Sequence, residues 1–460
     1  MAFVTRTNSS SIPITPITKP ELAKQKKIKV NVKYKWFEKV GFSAVSGTIC
    51  YLPETGNFPF EVFVGVEESD ETGGGIWDLA GLPKSLPSGR YYLNKELSPS
   101  AATRACIGWG LGEYVFDKYK KQNHPKAELV WPTTADKKDV IRIISGINLT
   151  RDLINTPAND MAPEDLVEIS KRLAKSHKAK IAITSGADLL RKNYPSIHAV
   201  GRASASKPSL IDIKWGTTNS PKVTLVGKGV CFDSGGLDIK PASGMLNMKK
   251  DMGGAAQVLG LAHMIMDANL SIRLRVLIPA VENAISGDAF RPRDVLQTRK
   301  GLTVEVGNTD AEGRLILSDA LTEATKDKPT MIIDFATLTG AARVAMGTDV
   351  PALFCNDDQL ADSLIQYGTE TEDPLWRLPL WAGYKSMLKS TVADLSSTGS
   401  TPYGGAITAA LFLEHFVEPN TPWAHIDLMS YNNNTRPGRP EGGEAQGIRG
   451  IYHMLKDRFG

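Results

Sequence analysis

The chain has 460 residues, 42% hydrophobic and 23% charged, ordinary proportions for a globular protein. They exclude a wholly disordered chain, a collagen-like fibre and a small disulfide-stapled scaffold. Fifty-four Lys and Arg against 50 Asp and Glu leave a net charge of +4, which over this length demands neither a nucleic-acid nor an anionic-membrane partner.

Taken in chain order, residues 1–20 lack the apolar core of a secretory signal and read as an N-terminal tail. Lys24, Lys26, Lys27 and Lys29 form the densest basic cluster, which a solvated tail explains. Val30-Asn31-Val32-Lys33-Tyr34 alternates and predicts a strand, and residues 60–66 predict a buried one. Gly73-Gly74-Gly75 and residues 83–89 predict turns. Residues 98–119 predict a helix broken by Gly108, Gly110 and Gly112. No strand precedes those glycines, so they do not form a dinucleotide loop. A second helix is expected over 138–155, ended by Asn155-Thr156-Pro157. The domain boundary is placed at residues 130–145.

Beyond it the pattern alternates: strand 223–226, helix 253–269, strand 273–279, helix 314–326, strand 330–335 and helix 406–417. This rhythm predicts an α/β fold with a mostly parallel sheet sandwiched by helices. In such folds ligands bind beyond the carboxyl ends of the strands. No run of about 18 apolar residues is present, so no membrane-spanning helix is expected. Cys50, Cys106, Cys231 and Cys355 form no Cys-x-x-Cys pair, which excludes a zinc ribbon and a dithiol redox motif and suits a reducing cytoplasm.

Three loops are dense in polar, charged and glycine residues. They are Gly227-Lys228-Gly229-Val230-Cys231-Phe232-Asp233-Ser234-Gly235-Gly236 running on to Lys240-Pro241, then Met248-Lys249-Lys250-Asp251-Met252-Gly253-Gly254-Ala255-Ala256, and Gly307-Asn308-Thr309-Asp310-Ala311-Glu312-Gly313-Arg314-Leu315. Asp310 and Glu312 stand two apart, which in an extended segment puts both carboxylates on one side. Such a pair repels unless a cation or proton lies between. If the loops meet, Asp233, Asp251, Asp310 and Glu312 suffice to hold two divalent cations about 3.5–4 Å apart. An oxygen-rich shell without His suits Mn²⁺ or Mg²⁺, with Zn²⁺ also accommodated. Singly, each residue has a plainer reading: Asp251 as a helix cap, Asp310 and Glu312 as a solvated loop, Lys228 and Lys240 as surface lysines, Arg314 as a helix start. Only the joint pattern favours a metal site.

That joint pattern resembles the cytosol leucyl aminopeptidase family over about residues 140–460. Further matching words are Arg151-Asp152-Leu153-Ile154-Asn155-Thr156-Pro157-Ala158-Asn159, Ala336-Thr337-Leu338-Thr339-Gly340-Ala341 and Trp423-Ala424-His425-Ile426-Asp427. The resemblance implies a smaller N-terminal α/β domain at 1–140 and a two-metal catalytic domain at 141–460. It implies Asp233 and Glu312 as ligands of both metals, Asp310 of one, and Lys228 and Asp251 of the other. A lysine ligates only as the neutral amine, so the metal must depress its pKa. Lys240 is implied as the group that hydrogen-bonds the oxyanion, and Arg314 as the holder of a bicarbonate base. Met248, Thr337 and Gly340 match the pocket for the first side chain, which should favour Leu or Met. The implied activity is release of N-terminal residues from peptides by a metal-bridged water, in a cytoplasmic homohexamer using Mn²⁺ or Zn²⁺.

The chain departs from the family pattern at Met429-Ser430, where many members have Ala-Gly, and at Cys231, where threonine is common. Met429 is expected to narrow the pocket. Two other readings compete. Another two-metal hydrolase such as a phosphoesterase is disfavoured by Lys228 and the lack of His ligands. A non-catalytic DNA-binding or scaffold role would want a basic groove.

Overall fold

The computed structural model describes residues 3–26, 32–54, 60–68, 74–122 and 126–460. It divides into two compact units, Met1–Asn148 with Asn433–Glu441, and Leu149–Asn432 with Gly442–Gly460. The expected boundary at 140 falls inside the helix Lys137–Asn155.

The first unit is built on a six-stranded sheet. Its spatial order is Phe3–Val4, Ala127–Val130, Gly89–Leu93, Ile12–Ile17, Glu61–Gly65 and Ile49–Leu52. All neighbours are parallel except the last pair. Glu61–Gly65 is buried along its whole length, as the apolar residues Val62, Phe63 and Val64 at its centre predict for a covered strand. The alternation at 30–34 does not give a strand: Val32–Lys39 is a helix, and residues 30 and 31 lie outside the described residues. Helical spacing lets Phe37 bury completely against Phe63 and Leu52 while Tyr34 packs alongside, and that burial overrides a five-residue alternation. The Gly73 end of the predicted triple-glycine turn, and Lys27 and Lys29 of the basic cluster, also lie outside the described residues.

The helix expected over 98–119 runs Pro99–Gly112, capped by Ser98, whose hydroxyl accepts from Ala101 N. Its glycines do not break it. A Cβ at Gly108 would lie 1.8 Å from Ile76 O, and one at Gly112 would lie 2.1 Å from Ala80 O. The glycines let backbone pack directly on backbone.

The second unit holds a mixed sheet. Its order is Trp376–Arg377, Ala352–Cys355, Trp423–Asp427, Met331–Ala336, Lys222–Gly227, Arg273–Asn283, Ser209–Trp215 and Lys180–Ser185, with Gly229–Asp233 pairing the far end of Arg273–Asn283. The four central strands, from Trp423–Asp427 to Arg273–Asn283, are parallel. Helix Gly253–Asp267 has 13 of its 15 residues buried, so it is apolar on nearly every side. Helix Glu312–Thr325 contributes Leu315, Ile316 and Leu321 to the main core with Phe412 and Trp423. Among the described residues no helix is long and apolar enough to cross a membrane.

Candidate metal centre

Parallel register places the site. Gly227 pairs with Phe335, so Lys228 and Thr337 emerge side by side at the carboxyl ends of two adjacent strands. Lys228 N donates to Phe335 O at 3.0 Å and Lys228 Nζ to Thr337 O at 3.1 Å. The Lys228 ammonium is buried, 2.7 Å from Asp251 Oδ2 and 3.0 Å from Glu312 Oε1. Asp251 sits in a short 3-10 turn, Met248–Met252, that leads into the helix Gly253–Asp267. It does not cap that helix. Its Oδ1 accepts from Thr337 Oγ1 at 2.8 Å.

Asp233 ends the strand Gly229–Asp233. Its Oδ1 accepts from Gly235 N and from Asn283 Nδ2, both at 2.8 Å, and its Oδ2 lies 2.8 Å from Lys240 Nζ. Lys240 Nζ also pairs with Asp310 Oδ1. Asp310 and Glu312 do not share an extended segment. Thr309–Ala311 is a 3-10 turn, tied by Asn308 Oδ1 accepting from Asp310 N at 2.7 Å, and Glu312 starts the helix that follows. Asn308 is a strong turn former, and this local bond wins over extension. Carboxylate oxygens of Asp233, Asp310 and Glu312 nevertheless lie within 4.8 Å of one another.

Charge in this cluster is unbalanced. Burial, and then the Asp233 carboxylate, push Glu312 up to about 8. Burial and Asp251 push Asp233 up to about 6 against the pull of Lys240 and Lys228. Burial opposes the charge on Lys228, but Asp251, Glu312 and Asp233 outweigh it and hold the ammonium above its ordinary range. Asp251 Oδ2 and both oxygens of Glu312 are buried without a hydrogen-bond partner. The Lys228 ammonium is within ion-pair reach of two of those oxygens, Asp251 Oδ2 and Glu312 Oε1. Buried acceptors left open are costly unless a cation or proton fills them, so this donor set fits divalent cations.

Arg314 is buried, its Nη1 donating to Ser397 O at 2.7 Å while its Nε has no partner. Burial lowers its pKa to about 10 against the pull of Glu312 and Asp427. It lines a cleft with Asn308, Thr398, Thr401 and Thr408. Met248 opens the turn that carries Asp251, and Gly340 starts the helix Gly340–Met346 just after Thr337. Ser430 is fully buried, and a Cβ at Gly253 would lie 2.3 Å from its Oγ. Burial pushes the Cys231 thiol well up, so it stays neutral and unreactive.

Sequence reasoning passed over three residues here. Asn283 holds Asp233 and also Thr309 O, at 3.1 Å; its signal was a polar residue closing a long apolar strand. Lys250 and Arg343 are cations with buried, unpartnered nitrogens. Lys250 reads as one more lysine in a basic turn, and only its burial distinguishes it.

The sequence model of the cytosol aminopeptidase family, catalytic domain, matches residues 148–452, and that of the M17 aminopeptidase N-terminal domain matches residues 12–132. A probable cytosol aminopeptidase of Roseiflexus castenholzii is 40% identical over 384 residues, 79% of this chain and 78% of that protein. The crystal structure of a cytosol aminopeptidase from Coxiella burnetii is 48% identical, with a TM-score of 0.94 over 100% of both chains. The bottromycin maturation enzyme BotP, in complex with Mn, is 29% identical with a TM-score of 0.87, covering 98% of this chain and 100% of that one.

Proposed function

This chain belongs to the cytosol aminopeptidase family and is a metal-dependent aminopeptidase, and we propose that it releases Leu and other apolar residues from peptide N-termini. The observation that carries the metal site is the convergence of Asp233, Asp310 and Glu312 carboxylate oxygens within 4.8 Å of one another, with both Glu312 oxygens buried and without a hydrogen-bond partner. In this reading Asp233 and Glu312 hold both of two divalent cations, Mn²⁺ or Zn²⁺. Asp310 serves one of them, and Lys228 with Asp251 serves the other. The bound cations supply Lewis-acid chemistry, lowering the pKa of water and polarising the scissile carbonyl.

The chain's own groups do the rest. Asp233 and Asp310 outweigh the burial of Lys240 and keep its ammonium charged. That ammonium donates to the carbonyl oxygen as negative charge develops there, a bond stronger in the transition state than in the ground state. Arg314 lines a cleft and carries a planar guanidinium whose buried Nε has no partner, a donor set that suits two-point holding of bicarbonate as general base. Met248 and Leu338 give the pocket for the first side chain an apolar wall beside Thr337 and Gly340. Four unpaired cysteines suit a cytoplasmic setting. Exposed Leu246, Tyr403 and Val344, at 78%, 81% and 90%, offer apolar surface to further copies in a hexamer.

The test is release of p-nitroaniline from Leu-p-nitroanilide after chelation and after Mn²⁺ or Zn²⁺ is restored, with Glu312→Ala in parallel. Restored activity that vanishes in the variant is expected. Folded protein that is inactive with every metal and every N-terminal residue overturns the reading.

A further inference from the structure

The cluster contains three lysines, and their partners differ. Lys228 and Lys240 are each paired with two carboxylates. Lys250 is only 2% exposed, and its Nζ has no hydrogen-bond partner. A buried ammonium without a partner is strongly destabilising, so a residue kept in that state points to a missing anion.

A second cation stands within electrostatic reach of it. Arg343 Nη1 is also buried and unpartnered. Arg343 stands three residues after Gly340 in the helix Gly340–Met346. Helical side chains lean toward the N-terminus of their own helix, which directs Arg343 back toward the turn that Gly340 begins. That turn borders open space: a Cβ at Gly340 would meet nothing within 4 Å. Of the charged groups around Lys250, Arg343 acts on it most strongly, ahead of Asp251, Lys228 and Lys240. Like charges brought together in a buried place repel unless an anion joins them.

Position identifies the anion. Lys250 follows Met248 by two residues, and Arg343 follows Thr337 and Gly340, so the pair flanks the residues assigned to the pocket for the first side chain. We propose that Lys250 and Arg343 bind the side-chain carboxylate of an N-terminal Glu or Asp, so that the enzyme releases acidic residues as well as apolar ones. This deepens the aminopeptidase reading and rests on it. The guanidinium fork matches a carboxylate in two-point geometry, and the ammonium adds a point charge. A neutral amide gives up the charge-assisted bonds, so Gln and Asn are the discriminating controls.

The experiment uses the Mn²⁺-loaded enzyme with p-nitroanilides of Leu, Glu, Gln, Asp and Asn, for the wild type, Lys250→Met and Arg343→Met. We expect kcat/KM for Glu to exceed that for Gln by at least about tenfold, and the Glu-to-Leu ratio to fall roughly 10- to 100-fold in either variant. The wild-type comparison of Glu with Gln stands even if a variant fails to fold. Glu no better than Gln overturns the proposal. So does an equal loss on Leu and Glu in both variants, which would make the pair a counterweight to the acidic cluster. An effect on Leu-Gly that is absent with Leu-glycinamide and with Glu would assign the pair to a peptide C-terminus and overturn it too. Leu release without Glu release sinks this inference alone, whereas release of no residue at all sinks the aminopeptidase reading beneath it.

Discussion

Lys228 Nζ lies 2.7 Å from Asp251 Oδ2 with both side chains almost wholly enclosed, at 3% and 4% exposure. The two reach each other because Lys228 leaves the end of a parallel strand while Asp251 enters a helix packed over that strand end. A buried pair contributes little net stability, but removing one partner is expensive because it strands the other charge. Lys228→Met should therefore lower stability by about 3–5 kcal/mol in chelated protein. Mn²⁺ should restore part of that loss, because a cation can take over the charge balance of Asp251. Urea denaturation with and without metal measures both. A cost under about 1 kcal/mol in chelated protein would show that the pair is not the one balancing Asp251.

Gly313 tests the same relationship sterically. A Cβ there would lie 2.6 Å from Lys228 Cε and 2.9 Å from its Nζ. The obstacle is the end of a flexible side chain, so Gly313→Ala should fold, but with the Lys228 ammonium pushed off its carboxylates. The expected result is weakened metal binding, at least about tenfold by titration calorimetry, which is about 1.4 kcal/mol. Gly254→Ala makes the contrast. Its Cβ would meet the backbone carbonyl of Phe335 at 2.1 Å, which cannot move aside, so that variant should lose stability outright.

The strands and helices of the second unit were legible because their apolar runs are long: residues 223–226, 253–269 and 330–335 fall on Lys222–Gly227, Gly253–Asp267 and Met331–Ala336. The alternation at 30–34 misled because five residues carry too little periodicity to outweigh one buried aromatic, Phe37. Glycines 108, 110 and 112 read as breakers because what they make room for lies some 30 residues away in the chain: the carbonyls of Ile76 and Ala80 for Gly108 and Gly112, and the Ile144 side chain for Gly110. At the site, the three loops announced themselves by composition. The mode of approach of Asp310 and Glu312 did not, since a turn set by Asn308 replaces the assumed extended segment. Lys250 and Arg343 were hidden for a different reason. Their distinction is burial without a partner, a property of the folded surroundings rather than of residue type.

Asp319 gives the protein a pH dependence separate from the metal site. It is fully buried, accepting from Ser196 N at 2.8 Å, Ile197 N at 3.2 Å and Arg299 N at 2.7 Å. Burial pushes it up to about 7, although those three backbone donors pull the other way. Its folded pKa therefore lies above its unfolded one, and between about pH 4 and 7 the folded chain keeps a proton that the unfolded chain releases. Stability must then fall as pH rises through that window, by at most about 1.4 kcal/mol per pH unit. Asp319→Asn should remove this contribution, leaving a flatter dependence between pH 5 and 7. It should also lower stability by roughly 1–3 kcal/mol, because an amide nitrogen would face backbone N–H donors. Denaturation midpoints of both proteins across pH 5 to 8 decide it; parallel curves would mean that Asp319 stays ionised throughout.

Arg314 carries the last prediction. Its Nη1 is committed to Ser397 O, its Nε is buried without a partner, and the residue lines a cleft with Thr398 and Thr408. Lysine could keep the positive charge but not the planar pair of donors. If the guanidinium holds bicarbonate as general base, Arg314→Lys should lose the rate response to added bicarbonate. Its bicarbonate-free rate should stay within a few-fold of the wild type's, because general-base assistance is the only element withdrawn, and such assistance is worth roughly 10²–10⁴-fold. Rates measured in bicarbonate-depleted buffer and on titration with bicarbonate separate the cases. A variant that responds to bicarbonate as the wild type does would remove Arg314 from that role. A variant equally slow at every bicarbonate concentration, and far below the bicarbonate-free wild type, would instead assign the side chain to holding the Ser397 strand edge beside the metal ligands.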